Sequence, residues 1–118
     1  MSVPSKCITV AKARELQDNW VATRAVDIAR SMGSNDTREF LFSLNDLQEF
    51  LDYVRVQSEE QEIANPGVRI YFGAYDNSIT DKATCFLAPT KGISQTSPNN
   101  YDIQPLNTVM GGWPPYNY

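Results

Sequence analysis

The stretch that decides the fold is Val68–Tyr75, which reads VRIYFGAY. It is rich in β-branched and aromatic residues and alternates with a period of two, which predicts a β-strand. The alternation puts Val68, Ile70 and Phe72 on one face and Arg69, Tyr71 and Tyr75 on the other. A polar turn at 76–82 and a second apolar run at 83–88, ended by Pro89, follow it. We therefore expect a β-hairpin with a long loop.

Upstream of this strand, a short strand is predicted to lead directly into a helix. Residues 39–44 alternate apolar side chains, and Ser43 or Asn45 can cap the helix that follows. The strongest helical periodicity in the chain comes next, with apolar residues at i, i+3, i+4 and i+7: Leu47, Phe50, Leu51 and Val54. The run Asn65-Pro66-Gly67 ends this segment.

The first part of the chain predicts a helix that changes direction. Thr9 can cap its start, and the apolar positions from Val10 to Trp20 share one face. After Trp20 the apolar stripe moves around the helix by about a third of a turn, at roughly 100° per residue. We expect a kink or two short helices, ending at Gly33.

These elements predict a small single-domain α+β fold, which suits a chain of 118 residues. The order is helix, strand, helix, strand, strand. A strand-helix-strand crossover favours a parallel pair, and the hairpin adds an antiparallel strand. The prediction is a three-stranded mixed sheet with the helices on one face, in a core domain at 1–94, followed by an irregular tail at 95–118.

The tail has an unusual composition. It carries one charged residue, Asp102, together with four aromatic residues, four prolines and the pair Gly111-Gly112. Disordered tails combine low hydrophobicity with high net charge, and this tail has neither. We expect it to pack on the core domain or on a partner, either by covering its own sheet or by presenting its aromatic residues.

Composition argues against several classes of function. Residues 34–66 hold eight acidic and two basic side chains, and no basic stripe occurs elsewhere, so neither nucleic acid nor an anionic membrane surface is an expected partner. The chain has no histidine and only two cysteines, outside any CxxC pair. We therefore expect no catalytic residues, no metal and no cofactor. No apolar run is long enough for a membrane span and no signal peptide is apparent, so the expected location is cytoplasmic.

The best-motivated cluster of candidate site residues lies on the hairpin strand. Arg69, Tyr71 and Tyr75 can bind a carboxylate, stack on a planar ligand or anchor a protein partner. Gly73 lies on the same face and favours close approach of other atoms. Trp113 and Tyr116 from the tail are expected to cover this face or to complete a binding surface with it.

The motifs of the chain resemble a family of small Bacteroidota proteins. Three features carry the likeness: the helix ending in Asn19-Trp20, the "IRIY-G" strand at 68–73, and the tail motif Gly112-Trp113-Pro114-Pro115. Many members have cysteines beside the terminal prolines, and this chain has none there. The resemblance implies a shared fold unit and no particular activity.

Three functional hypotheses remain open. The leading one is a non-enzymatic cytoplasmic protein that binds a protein partner or self-associates through an aromatic surface, because interface centres are rich in aromatic residues and arginine. The second is a small-molecule-binding protein or small enzyme with a pocket between sheet and tail. The third is an immunity or antitoxin type of partner protein that uses the acidic helix at 46–62.

Overall fold

A computed structural model describes all residues from 1 to 118. The fold is α+β, and its elements in chain order are α1 (Val10–Ala22), α2 (Arg24–Met32), β1 (Glu39–Leu41), α3 (Leu44–Glu60), β2 (Gly67–Ala74), β3 (Ala83–Thr90) and β4 (Met110–Gly112). The predicted order of elements is confirmed, and the tail contributes a fourth strand that the sequence did not predict. No helix is both long and apolar enough to span a membrane.

The first helical segment consists of two short helices, which confirms one of the two predicted alternatives. The Thr9 hydroxyl accepts a hydrogen bond from the Lys12 backbone N–H at 3.1 Å and caps α1. Thr23 leaves helical geometry and separates α1 from α2. Gly33 ends α2 with a φ of 81°, a left-handed conformation that glycine adopts at low cost.

The acidic helix α3 begins at the predicted place. The Ser43 hydroxyl accepts a hydrogen bond from the Asp46 backbone N–H at 3.0 Å, so Ser43, rather than Asn45, is the cap. Phe50 and Val54 are buried, one turn apart on the same face. The predicted amphipathic face of this helix is therefore the face that meets the core.

The hairpin of β2 and β3 pairs eight residues of each strand, from Gly67 opposite Thr90 to Ala74 opposite Ala83. The prediction that Pro89 ends the second strand was wrong, because β3 continues to Thr90. Leu87, two residues earlier, exchanges backbone hydrogen bonds with the tail, so by alternation the missing N–H of Pro89 also faces the tail and not β2. Proline is tolerated there because the tail needs only its carbonyl, which accepts from the Asn100 N–H at 2.8 Å.

The predicted three-stranded mixed sheet is wrong. The chain forms two separate two-stranded antiparallel sheets, β1 with β4 and β2 with β3, and has no parallel pair. The tail pairs with β1 and with β3, whereas the β2 edge that a parallel β1–β2 pair would have used stays unpaired. Gly111 lies opposite Phe40 in the β1–β4 pair, and a Cβ on Gly111 would lie 2.9 Å from Thr37 Cγ2 and 3.1 Å from Phe40 Cδ1. Only glycine lets the tail approach β1 this closely.

The tail also pairs with the free edge of β3. Leu87 and Leu106 exchange two backbone hydrogen bonds of 2.8 and 3.0 Å, and the Lys91 N–H donates to the Pro98 carbonyl at 2.9 Å. β3 is consequently an inner strand, with β2 on one side and the tail on the other. β2 is left as the outer strand of this sheet.

The hydrophobic core lies between α3, β3 and the tail. It consists of five buried residues, namely Phe50, Val54, Cys85, Leu87 and Ile103. Ile103, from the tail, is only 2% exposed. The segment after residue 94 is therefore part of the core and not an appendage to it.

Candidate functional site

The residues of the predicted cluster do share one face of β2, but their polar groups already form hydrogen bonds with the tail. Arg69 donates to Asn99 Oδ1 at 2.8 Å and to the Gln95 carbonyl at 3.0 Å. The Asn99 side-chain amide donates to the Tyr71 hydroxyl at 2.8 Å. Arg69 has no carboxylate partner, so neutral oxygens of the tail are its acceptors.

The two tyrosines of this cluster are also engaged within the chain. The Tyr71 ring stacks on Phe86, with centroids 5.0 Å apart and planes 13° from parallel. The Tyr75 hydroxyl donates to Asn107 Oδ1 at 3.2 Å. Asn107 in turn donates to the Cys85 carbonyl at 2.8 Å, which fixes the tail beside β3. This face of the hairpin is thus an anchor for the tail.

Trp113 and Tyr116 do not lie on this face, contrary to the expectation that they cover it. Trp113 packs under Arg38, whose guanidinium carbon is 4.4 Å from the ring centroid. The same guanidinium donates to Asn117 Oδ1 at 2.8 Å. Tyr116 is 84% exposed. The five predicted site residues therefore form two separate groups, Arg69, Tyr71 and Tyr75 on the hairpin, and Trp113 and Tyr116 near α1.

Sequence reasoning missed the residues that hold the tail. Asn99, Asn100 and Asn107 bond to the hairpin and to α3, and Asn100 is 2% exposed with its amide donating to Gln61 Oε1 at 2.8 Å. Asparagine is frequent in irregular segments because its side chain satisfies backbone groups there, so these residues read as ordinary turn residues. Arg38 was missed as well, because it lies between Thr37 and Glu39 in the sequence and reads as an ordinary solvated charge.

The opposite face of β2 is the unexpected surface. In an antiparallel pair, Ile70 lies beside Leu87 and Phe72 beside Cys85. Leu87 and Cys85 are buried by α3 and the tail, whereas Ile70 is 72% exposed and Phe72 is 81% exposed. The core elements cover β3 but reach β2 only at Val68, which leaves two large apolar side chains in solvent.

A groove adjoins this surface, and we call it the central groove. It has a volume of about 440 Å³ and lies where α1, α2 and β1 approach the far end of the hairpin. Its apolar wall includes Trp20, Ile28, Phe40 and Phe72. Asp36 and Arg38 also line it, but Asp36 already accepts from the Thr37 and Ala83 backbone N–H groups at 2.8 Å. The groove can take an apolar group and offers the Arg38 cation beside it.

A second depression lies between sheet and tail, where the sequence predicted a pocket. It measures about 400 Å³ and its lining includes Tyr71, Phe86, Asn99 and Tyr101. Arg69 and Trp113 do not line it. Asn99, Asn100 and Gln104 are among its lining residues, so it is a less apolar site than the central groove.

The two cysteines differ in environment. Cys7 is exposed, and Cys85 is buried in the core. Burial raises the pKa of the Cys85 thiol, because desolvation disfavours the thiolate. Since the thiolate is the nucleophilic form, Cys85 is poorly suited to nucleophilic chemistry.

Comparisons with known proteins add no identity. The chain matches no protein-family model, no curated protein sequence and no solved structure. The resemblance to a Bacteroidota family therefore stays a prediction.

Proposed function

We propose that this chain is a non-enzymatic, cytoplasmic binding or assembly protein that works through an exposed apolar and aromatic surface. The observation that carries the proposal is the amount of surface the isolated chain leaves open. Its solvent-accessible area is 9132 Å². A monomeric protein of its mass, 13.3 kDa, is expected to expose about 6,500 Å².

The overall dimensions agree with this excess. The radius of gyration is 16.7 Å, whereas a compact domain of this length has about 13.5 Å. Only 11 of the 118 residues are buried. A folded chain with so much open surface is typical of a subunit whose remaining surface is covered by a partner.

Part of this exposed surface is apolar. Large apolar side chains that are more than two-thirds exposed include Leu44, Ile70, Phe72, Ile93 and Tyr116. Contiguous apolar patches on soluble proteins mark interaction sites, and scattered single residues do not. Phe72 adjoins both Ile70 on its strand and the central groove, so it belongs to such a patch.

The proposal is tested by the mass of the native protein. Light scattering after size-exclusion chromatography and native mass spectrometry, over a range of protein concentrations, are expected to report a mass above that of one chain. A pull-down from the source cell covers the case of a different partner. A strict monomer that captures no partner contradicts the proposal.

The central groove supports a second candidate, binding of a small molecule. Ligand pockets are usually about 300–1,000 Å³ and mostly apolar with a few polar groups, and the central groove meets both conditions. The occupant would be an apolar molecule with an anionic or acceptor group near Arg38. A thermal-shift screen tests it, with Phe40→Ala as the variant expected to abolish any stabilisation; no shift at millimolar ligand counts against it.

A further inference from the structure

The outer edge of β2 has free backbone hydrogen-bonding groups. The Tyr75 N–H donates to the Lys82 carbonyl at 3.0 Å, so the odd-numbered residues of this strand bond to β3. Because the bonding direction alternates along an antiparallel strand, the even-numbered residues direct their N–H and C=O groups outwards. These residues are Val68, Ile70, Phe72 and Ala74, and no strand of the chain pairs with them.

This edge lacks the features that normally prevent strand pairing. Such edges are protected by lysine, proline, bulges or a covering element. β2 contains no proline and no lysine, and its pairing with β3 is continuous over eight residues without a bulge. Its one charged residue, Arg69, points to the opposite face and bonds to the tail.

We propose that a second copy of this chain pairs with β2 through this edge, in an antiparallel arrangement with two-fold symmetry. The inference rests on the proposed assembly function and names its partner. The register places Ile70 of one copy opposite Phe72 of the other, with the symmetry axis at Tyr71. Val68 then lies opposite Ala74, and all four outward-facing residues of each strand are paired.

The side chains favour this register over the one centred on Ile70. An aromatic residue opposite a β-branched residue is a stabilising cross-strand pair. Arg69 lies opposite Gly73, which has no side chain to obstruct it. Shifting the register by two residues, so that Ile70 faces itself, brings the two Arg69 cations within about 8 Å on one face, which is unfavourable.

The area available matches a dimer of two copies. Permanent dimers bury roughly 2,000–5,000 Å² in total, or about 1,000–2,500 Å² from each subunit. The chain exposes about 2,700 Å² more than a compact monomer of its mass. The excess over the whole chain is thus of the size that a dimer needs, and the exposed Ile70 and Phe72 on β2 are part of it.

The arrangement also closes on itself. The tail covers the other edge of the sheet, because Leu106 pairs with Leu87 on β3. Joining two β2 strands therefore uses the open edge of each copy and leaves none for further addition. This accounts for a dimer and not a fibre.

The first experiment places a charge at the edge. Ile70→Lys and Phe72→Lys are expected to convert a dimeric mass to that of a monomer in light scattering, because a lysine at the strand edge opposes pairing. The matched control is Ile79→Lys, which changes an equally exposed apolar residue in the hairpin loop and is expected to remain dimeric. Circular dichroism confirms folding, which is expected to persist because both edge side chains are exposed in a single copy.

The second experiment tests the register by cross-linking, in a Cys7→Ser background. Directly opposite residues have Cα atoms about 5.5 Å apart, within the range of a disulfide, whereas diagonal residues are about 7–8 Å apart. An equal mixture of Ile70→Cys and Phe72→Cys chains is expected to form a covalent dimer on oxidation. Each variant alone is expected to form little.

The outcomes separate this inference from the proposed function. A dimer that survives both lysine variants overturns pairing through β2 and leaves an assembly function standing. A monomer that binds a different protein also overturns the second-copy inference and not the binding function, whereas a monomer without a partner overturns both. If a lysine variant fails to fold, the cysteine mixture decides: efficient cross-linking of Ile70→Cys alone overturns the register, and no cross-linking in any sample overturns the pairing.

Discussion

The hairpin half of the molecule and its N-terminal half are each stabilised by different interactions. The hairpin half, made of α3, β2, β3 and the tail up to Leu106, contains all five residues of the hydrophobic core. In the N-terminal half, α1 buries no residue and α2 buries only Ala25. Its attachments are the packing of Phe40 in β1 against the core, the β1–β4 pair, hydrogen bonds and the contact of Arg38 with Trp113. The hairpin half contains the buried core, whereas the N-terminal half reaches that core only through partly buried residues of the β1 segment.

The tail is the segment that joins the two halves. Ile103 is buried in the core, and Gly111 and Gly112 then pair with β1. At its end, the Tyr118 backbone N–H donates to Gln17 Oε1 at 2.7 Å on α1. The contrast therefore teaches that the N-terminal half buries few residues of its own and is positioned by the tail, by Phe40 against the core and by the hydrogen bond from the Ala83 N–H to Asp36.

The largest expected effect comes from the same substitution made in each half. Leu87→Ala removes a side chain that is 5% exposed and is expected to cost about 3 kcal/mol, because it leaves a cavity. Leu16→Ala removes one that is 50% exposed and is expected to cost less than about 1 kcal/mol. Urea unfolding followed by circular dichroism measures both, and equal costs would refute the contrast.

A methyl group at the β1–β4 pair tests how the tail holds the N-terminal half. Gly111→Ala is expected to destabilise by about 1–3 kcal/mol, because its Cβ would clash with Thr37 and Phe40. Gly112→Ala is the control, since its Cβ would lie 3.7 Å from the nearest atom, an ordinary contact. Hydrogen exchange of the Arg38 N–H, which donates to the Gly112 carbonyl, is expected to accelerate in the first variant only.

The stacking of Arg38 on Trp113 offers a smaller effect. Arg38→Lys keeps the charge but loses the planar stack and the fork of donors, and is expected to cost about 0.5–1 kcal/mol. In a Trp20→Phe background the fluorescence of Trp113 is expected to shift towards that of a solvated indole. The exposed Arg30→Lys serves as control, and an unchanged Trp113 spectrum in the Arg38 variant argues against the contact.

The smallest effect distinguishes the two cysteines by pH. The pKa of Cys85 is raised by burial, so the folded state retains the thiol proton longer than the unfolded state does. This contribution to the free energy of unfolding is complete below the ordinary thiol pKa of 9.0. It is lost as the pH rises through the higher pKa that the Cys85 thiol has in the folded state. The free energy of unfolding is expected to fall more steeply above that pH in the native protein than in Cys85→Ala. A Cys7→Ala variant is expected to keep the native slope, and identical slopes in all three would contradict the prediction.

Much of the local structure could be predicted because short-range chemistry decides it. The Thr9 and Ser43 caps, the Gly33 terminus and the eight-residue alternation of β2 each depend on neighbouring residues. The candidate site was predictable in part, since Arg69, Tyr71 and Tyr75 do share one face. What contacts that face could not be predicted, because the contacting residues belong to the tail, about thirty residues further along the chain.

The sequence by itself determined the order of helices and strands, the two faces of β2 and the presence of an aromatic tail with little charge. The hairpin pairing of β2 with β3 also followed from the sequence, whereas only the tertiary structure decided that the tail pairs with β1 and β3. Glycine at 111 allows the tail to approach β1, and Leu106 takes the free edge of β3. The tertiary structure also decided exposure: Ile70 and Phe72 have the pattern of core residues, yet the core reaches β2 only at Val68. Periodicity fixes which side chains share a face, whereas burial depends on which distant element packs against that face.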